Sequence, residues 1–192
     1  MKSTFWDRFA KSYDKNSSIN EELLNLIRSY SMPDFEVLEI GTATGEMILS
    51  LAPYFAKGIG IDYSEMMIKE AEKKIKPDNI TFKVEDATNL SFADESFDLI
   101  FTISTLHVIN PLEDVLTSIH RVLKQKGTFI AIVPIVNHNW FKAQFEKSVM
   151  KSLKFNNYDV EEYISCFEEC HFMILDHFTS IDKKSEIFII KR

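Results

Sequence analysis

The 192-residue sequence predicts an α/β fold, an open and mostly parallel sheet with helices on both faces that ends in an antiparallel hairpin. Three observations predict it. Strand-like apolar runs alternate with segments of helical spacing from residue 35 to residue 133. The last two strand-like runs are joined by a turn too short to hold a crossover helix. With 45% hydrophobic residues and 16 Phe, the chain has the size and composition of one domain with a full core.

The elements follow in order. "FEVLEI" is the first strand, and "TGEMILSLAPYF" has helical spacing through Met47, Leu51 and Tyr54. "AKGIGID" is the second strand; "SEMMIKEAEKKIK" is a helix with Ser64 as N-cap and Pro77 just past its end. "NITFKV" and "FDLIFTIS" are the third and fourth strands. "LEDVLTSIHRVLKQKG" has the pattern of an amphipathic helix closed by Gly127, followed by "TFIAIV" as the fifth strand. A helix over "DVEEYISCFEECHF" leads into "FMILDHFTSID" and "SEIFIIKR", the two arms of the hairpin, which turn around Asp182 to Lys184. Ligands of such a sheet lie at the carboxyl ends of the first strands.

Charge and composition narrow the function. The formal net charge is -7, and Lys and Arg are scattered among acids, so a DNA partner has no electrostatic footprint. The amino terminus "MKSTFWDRFAKSYDKN" is charged throughout, and no run approaches the length of a membrane span, so no membrane partner and a cytoplasmic location are expected. Cys166 and Cys170, four residues apart on one helix, are too few for a structural zinc site and read as helix positions. No metal site is expected.

The first strand runs into "VLEIGTATGE", a carboxylate beside a glycine loop. A dinucleotide fingerprint laid on Gly41 requires glycine at 43 and a small residue at 46, where the sequence has Ala43 and Glu46. The register is wrong for a pyrophosphate. Asp62 ends the second strand 21 residues after Gly41, close to the spacing of about 20 for a ribose-binding acid in a doubly wound fold.

In their order, "VLEIGTATG", "GIGIDYSEMM", "VEDATNLSFADESFDLIFTISTLHVI" and "HRVLKQKGTFIAIV" resemble the class I S-adenosylmethionine-dependent methyltransferases, and "FWDRFAKSYDKN" is similar to the leader of their small-molecule branch. The family's doubly wound sheet has seven strands with an antiparallel seventh, in agreement with five strands plus a hairpin.

The resemblance implies S-adenosyl-L-methionine as cofactor and a small molecule as methyl acceptor. It maps the family's acid and glycine loop onto Glu39, Gly41, Thr42, Ala43 and Gly45. Ala43 stands where a glycine is usual, and one methyl there is tolerable if Ala43 keeps φ below zero. It gives Asp62 the ribose, and Tyr63 with Met67 or Met66 the adenine face. Asp86 takes the adenine amino group and the Ala87 N–H a ring nitrogen. Backbone around Thr102 to Ser104 meets the methionine part, and His107 faces the acceptor as a general base.

Other roles for the same residues remain open: Glu39 as a cap for the next helix, "DATN" as an Asx turn, His107 as loop packing, and Asp98 as a structural acid at a strand start. The leader aromatics Phe5, Trp6, Phe9 and Tyr13 suit a flap over residues 1–32, with Tyr13 at the cofactor. Residues 33–133 form the cofactor-binding core. Phe141, Phe145, Val149 and Leu153 make a helical stripe in a possible acceptor lid, 134–158, and residues 159–192 carry the last helix and the hairpin. A protein that binds the cofactor without turnover, and methylation of a protein or RNA group, are the alternatives to a small acceptor.

Overall fold

The computed structural model describes residues 4–16, 19–135 and 158–192. The helical stripe from Phe141 to Leu153 lies outside the described residues. Seven strands form one sheet: β1 (Glu36–Ile40), β2 (Lys57–Asp62), β3 (Ile80–Val84), β4 (Phe97–Ile103), β5 (Leu123–Pro134), β6 (Met173–Thr179) and β7 (Ser185–Lys191). Their order is β3-β2-β1-β4-β5-β7-β6. The first five are parallel, whereas β7 lies antiparallel to both β5 and β6.

Period-two alternation splits the strands between two cores. Leu38, Ile40, Ile59, Ile61, Phe129 and Phe188 face the side covered by α6 (Leu112–Val122) and α7 (Val160–Glu169). Val37, Leu99, Phe101, Ile130 and Ile189 face α3 (Glu21–Ser29), α4 (Glu46–Leu51) and α5 (Glu65–Ala71). Because the chain winds outward from β1 to β3 and again from β4 to β5, the loops after β1 and β4 diverge and leave a crevice at the carboxyl ends of the strands.

Asp98 accepts from the Glu36 N–H at 2.9 Å and pairs with Lys124 at 2.8 Å, joining the starts of β1, β4 and β5. Three helices end earlier than their apolar spacing implies. After α4 a turn of 3₁₀ helix, Ala52–Tyr54, carries the chain past Pro53, which has no N–H to continue the ladder. α5 stops at Ala71, and Lys74 reaches back to Glu46.

The largest departure is α6. It ends at Val122, and "LKQKG" belongs to β5, so Gly127 sits within a strand and closes no helix. Tertiary contacts override the helical pattern. Leu123 pairs with Phe97, the Leu123 carbonyl accepts from Arg192 at 2.6 Å, and the Lys126 carbonyl accepts from Lys191 at 2.8 Å.

The leader comprises α1 (Thr4–Asp7), a 3₁₀ turn (Ala10–Ser12) and α2 (Tyr13–Asn16), and lies against α5 through α1 and the 3₁₀ turn. Asp7 accepts from Ser64 Oγ at 2.6 Å, Asp14 accepts from Thr44 Oγ1, and Lys74 pairs with Asp14 at 2.9 Å. These contacts bring the leader over the carboxyl ends of β1 and β2.

Asp98→Ala removes a charged acceptor from a strand N–H, so urea unfolding is expected to show a loss of about 1.5–3 kcal/mol. Unchanged stability would mean that the acid does not hold the strand starts together.

Candidate active site

The crevice opens into a cavity of about 260 Å³. Its walls come from the ends of four strands and from the leader. Ile40 ends β1 and Gly41 and Ala43 follow it; Ile61 and Asp62 end β2 and Tyr63 and Met67 follow it; Glu85, Asp86, Ala87 and Thr88 follow β3; Ile103 ends β4 and Ser104, Thr105 and Val108 follow it. Trp6 and Tyr13 form the leader's share, and Asn110, Pro111 and Asp114 the approach to α6.

Gly41 and Gly45 have φ of +74° and +80°. A Cβ on Gly41 would stand 2.1 Å from Thr105 Oγ1, so only glycine lets the β1 loop cross the β4 loop. The Gly41 and Thr42 N–H groups both donate to the Ile61 carbonyl at 2.8 Å. Ala43 adopts φ +49°, so the condition of a φ below zero is not met and the methyl is accommodated in a left-handed turn. The left-handed turn aims its N–H at Asp62 Oδ2, 2.9 Å away. That bond to a carboxylate offsets a backbone cost on the order of 1–2 kcal/mol. Ser104, at φ +50°, makes a second such turn on the opposite wall and donates its N–H to the Ile132 carbonyl.

Asp62 accepts one backbone N–H on each oxygen, from Ala43 and from Ser64 at 2.8 Å. Each oxygen keeps a lone pair for a second donor. Burial raises its pKa, against those two bonds, and Asp7 adds to the rise. Asp86 Oδ1 accepts from the Thr88 N–H and hydroxyl, so the Asx turn is present, and Oδ2 is the oxygen available to a ligand. Met67 is buried on the wall, whereas the Met66 N–H meets Asp7. Tyr63 is half-exposed at the rim. Burial raises the Tyr13 pKa, with Asp62, Glu39, Asp14 and Glu46 contributing in that order.

Four of the residues expected at the cofactor or acceptor do not line the cavity. Glu39 lies on the opposite face of β1 from Ile40, 4% exposed. It accepts from Thr42 Oγ1 at 2.6 Å and from the Ile48 N–H in the first turn of α4. It thus caps a helix whose own N-cap, Gly45, has no side chain to do so. Burial pushes its pKa up to about 8. Thr42 and Gly45 lie in the same loop behind the wall, and a Cβ on Gly45 would meet the Phe82 ring at 2.3 Å.

His107 is the fourth. It sits in the 3₁₀ turn Leu106–Val108, buried, and burial alone lowers its pKa to about 4. The cavity is lined by its neighbours Thr105 and Val108. Burial thus disfavours its charged form and its work as a proton acceptor, and of the two roles open to it the geometry favours loop packing.

The sequence reading did not single out Thr105, Asp114, Asn110 or Glu85 as site residues. Thr105 is found only by the crossing of two loops far apart in sequence. Asp114 follows from the placement of α6 against the turn Ala87–Asn89.

Comparison with known proteins places this geometry. A methyltransferase-domain family profile matches residues 38–131, which run from β1 into β5. The chain is 32% identical over 104 residues to the uncharacterized methyltransferase YcgJ of Bacillus subtilis, covering 52% of this chain and 40% of that protein. It is 33% identical over 146 residues to demethylmenaquinone methyltransferase of Thermotoga maritima, covering 66% of this chain and 58% of the relative. Over that segment and in its fold the chain resembles the S-adenosylmethionine-dependent methyltransferases.

It spans about half the length of the curated relatives it matches. The methyltransferase fold extends beyond the matched segment. A chain in the complex between the Haloferax volcanii Trm112 methyltransferase activator and a methyltransferase superposes with a TM-score of 0.81 at 17% identity, covering 97% of this chain and 96% of that one. That is a likeness of fold.

The cavity fits the cofactor of this family. Asp62, Glu85, Asp86 and Asp114 line it, and among the described residues no Lys, Arg or His does. Such a wall favours a ligand with cationic groups over one with phosphates.

His107→Ala is expected to lower stability by about 1–3 kcal/mol through lost packing, with cofactor affinity unchanged. In the parent, His107 stays neutral when folded and protonates when unfolded, so its contribution falls as pH drops from 6.5 toward 4. Denaturation at pH 4.5 and pH 7 should therefore show a smaller variant-to-parent difference at the lower pH. A difference that grows on acidification would overturn the neutral assignment.

Proposed function

We propose that this protein transfers a methyl group from S-adenosyl-L-methionine to an O, N or C atom of a small molecule. One observation carries the reading: a cavity at the carboxyl ends of β1 to β4 whose charged lining is wholly acidic among the described residues. When bound, the cofactor supplies a methyl group on a sulfonium, already activated toward displacement.

The chain's own residues would bind and orient it. Asp62 accepts the two ribose hydroxyls with its remaining lone pairs, held in place by Ala43 and Ser64. Asp86 Oδ2 and the Ala87 N–H read the adenine edge, with Tyr63 and Met67 against the ring. Gly41, Ala43 and Ser104 set the backbone path around the methionine part. Trp6 and Tyr13 would cover the site and keep water from it, and the expected flap is the part of the leader ahead of α3, whose Leu23 and Ile27 are buried in the core.

With His107 neutral and off the wall, alignment is the larger part of the catalysis. Holding donor and acceptor in line can be worth on the order of 7–11 kcal/mol. The demethylmenaquinone methyltransferase relative supports a small-molecule acceptor. The expected acceptor lid, residues 134–158, lies outside the described residues but for its ends. The acidic lining speaks against a nucleic-acid backbone at this mouth, and a cytoplasmic location accords with this reading.

Calorimetry should show binding of S-adenosylmethionine and S-adenosylhomocysteine, and weaker or no binding of NAD. Asp62→Ala should lower the affinity by about tenfold to a hundredfold, the cost of a hydrogen bond to a charged group. Incubation with cofactor and a metabolite extract should yield S-adenosylhomocysteine and a product heavier by one methylene, read by mass spectrometry. Binding without any product would favour a protein that holds the cofactor without turnover, and tighter binding of NAD would overturn the family reading of the site.

A further inference from the structure

Glu39 is a positioning group of an unusual kind, because it touches the cofactor loop and not the cavity. Its carboxyl holds Thr42 Oγ1 at 2.6 Å and the Ile48 N–H, so it fixes the β1 loop between Gly41 and Gly45 to the first turn of α4. The neighbours on either side of Thr42, Gly41 and Ala43, are wall residues. Any charge on Glu39 therefore acts directly behind the wall.

Its surroundings do not favour that charge in the empty site. The side chain is buried, and among the described residues no ion pair reaches it. The negative charge of Asp62, at the end of β2, adds a smaller opposition to the ionisation of Glu39. Tyr13 faces it from α2, on the cavity side, with Asp14 and Glu46 near Tyr13 in turn. Lys74 pairs with Asp14 and Glu46 and not with Glu39. Hydrogen bonds from Thr42 and Ile48 favour the carboxylate but do not outweigh burial, which leaves the pKa at about 8.

We propose that Glu39 is a carboxylic acid in the cofactor-free protein and releases its proton to solvent when S-adenosylmethionine binds, so that its negative charge appears only behind a filled cavity. The inference rests on the cofactor reading above. A ligand that brings a sulfonium and an ammonium to the other side of the loop supplies the positive charge that the free site lacks. The ionised carboxylate then holds Thr42 and the amino end of α4 more strongly, because charged acceptors make stronger hydrogen bonds and suit a helix N-terminus. Binding would thus tighten the loop that positions the ligand.

Linkage gives the sign. A proton released on binding makes affinity rise with pH, by up to about tenfold per pH unit below the pKa of the free group, and level off above it. Calorimetric titration of S-adenosylmethionine at pH 7, in phosphate and in Tris, reads the protons exchanged from the dependence of the heat on buffer ionisation. The parent is expected to release between about half a proton and one proton more than Glu39→Gln. Its affinity should rise from pH 6 to pH 8 relative to that of the variant. The cofactor's own amine titrates in both proteins and cancels in the difference.

Equal proton counts, or equal pH profiles, would overturn the proposal. If the variant does not fold, infrared difference spectra of the parent with ¹³C-labelled glutamate decide. Loss of a labelled carboxylic-acid C=O band on adding the cofactor at pH 7 supports the release, and no change in that band overturns it. Failure of the parent to bind the cofactor at all would instead refute the cofactor reading.

Discussion

Asp62 is the joint on which the site depends. One of its oxygens draws in the Ala43 N–H from the loop after β1, and the other draws in the Ser64 N–H at the start of α5. Ser64 in turn caps α5 through the Met67 N–H and donates to Asp7 of the leader. A single carboxylate thus fastens the first loop, the second helix and, through Ser64, the amino terminus into one wall. The same bonds hold its remaining lone pairs toward the cavity, which is what a ribose diol requires.

A site built from acids in an apolar crevice carries an electrostatic cost, and the fold meets it in three ways. Asp62 and Asp86 are stabilised by local N–H donors. Asp14 and Glu46 share Lys74. Glu39, with no cation beside it, is held instead by Thr42 and the exposed end of a helix. The arrangement leaves an unbalanced negative potential around the cavity, the complement of a cationic ligand. It also explains why the glycine loop here is not a phosphate cradle, although its turns have the same backbone conformations that such cradles use.

Much of the fold was legible in the sequence, and the reasons it was are local. Apart from the start of β5, the strands are short apolar runs bounded by polar turns, and the turn at Asp182 to Lys184 leaves room only for a hairpin, as found in β6 and β7. The end of α6 was not legible, because the residues that pull "LKQKG" into β5 are Phe97, Lys191 and Arg192, distant in sequence. Ala43 adopts a left-handed turn because of an acid 19 residues away. Of the expected site residues, most of those at strand ends and in the turns just after them line the cavity, Thr42 and Gly45 being the exceptions in the turn after β1. Glu39 does not, and the period of the strand already said so: Val37 and Glu39 share one face of β1, and Ile40 opens onto the other. For His107 position along the chain was legible but direction was not, since a 3₁₀ turn gives no two-face alternation to read.

The central claim is that the crevice between the β1 and β4 loops holds the cofactor, with Asp62 at its ribose. A crystal structure of the protein with S-adenosylhomocysteine tests it most directly. The account predicts both ribose hydroxyls within hydrogen-bond distance of Asp62, the adenine amino group at Asp86, and the Ala43 and Ser64 N–H groups still bonded to Asp62. Ligand density elsewhere, or a ribose turned away from Asp62 with that carboxylate bonded only to backbone, would contradict it.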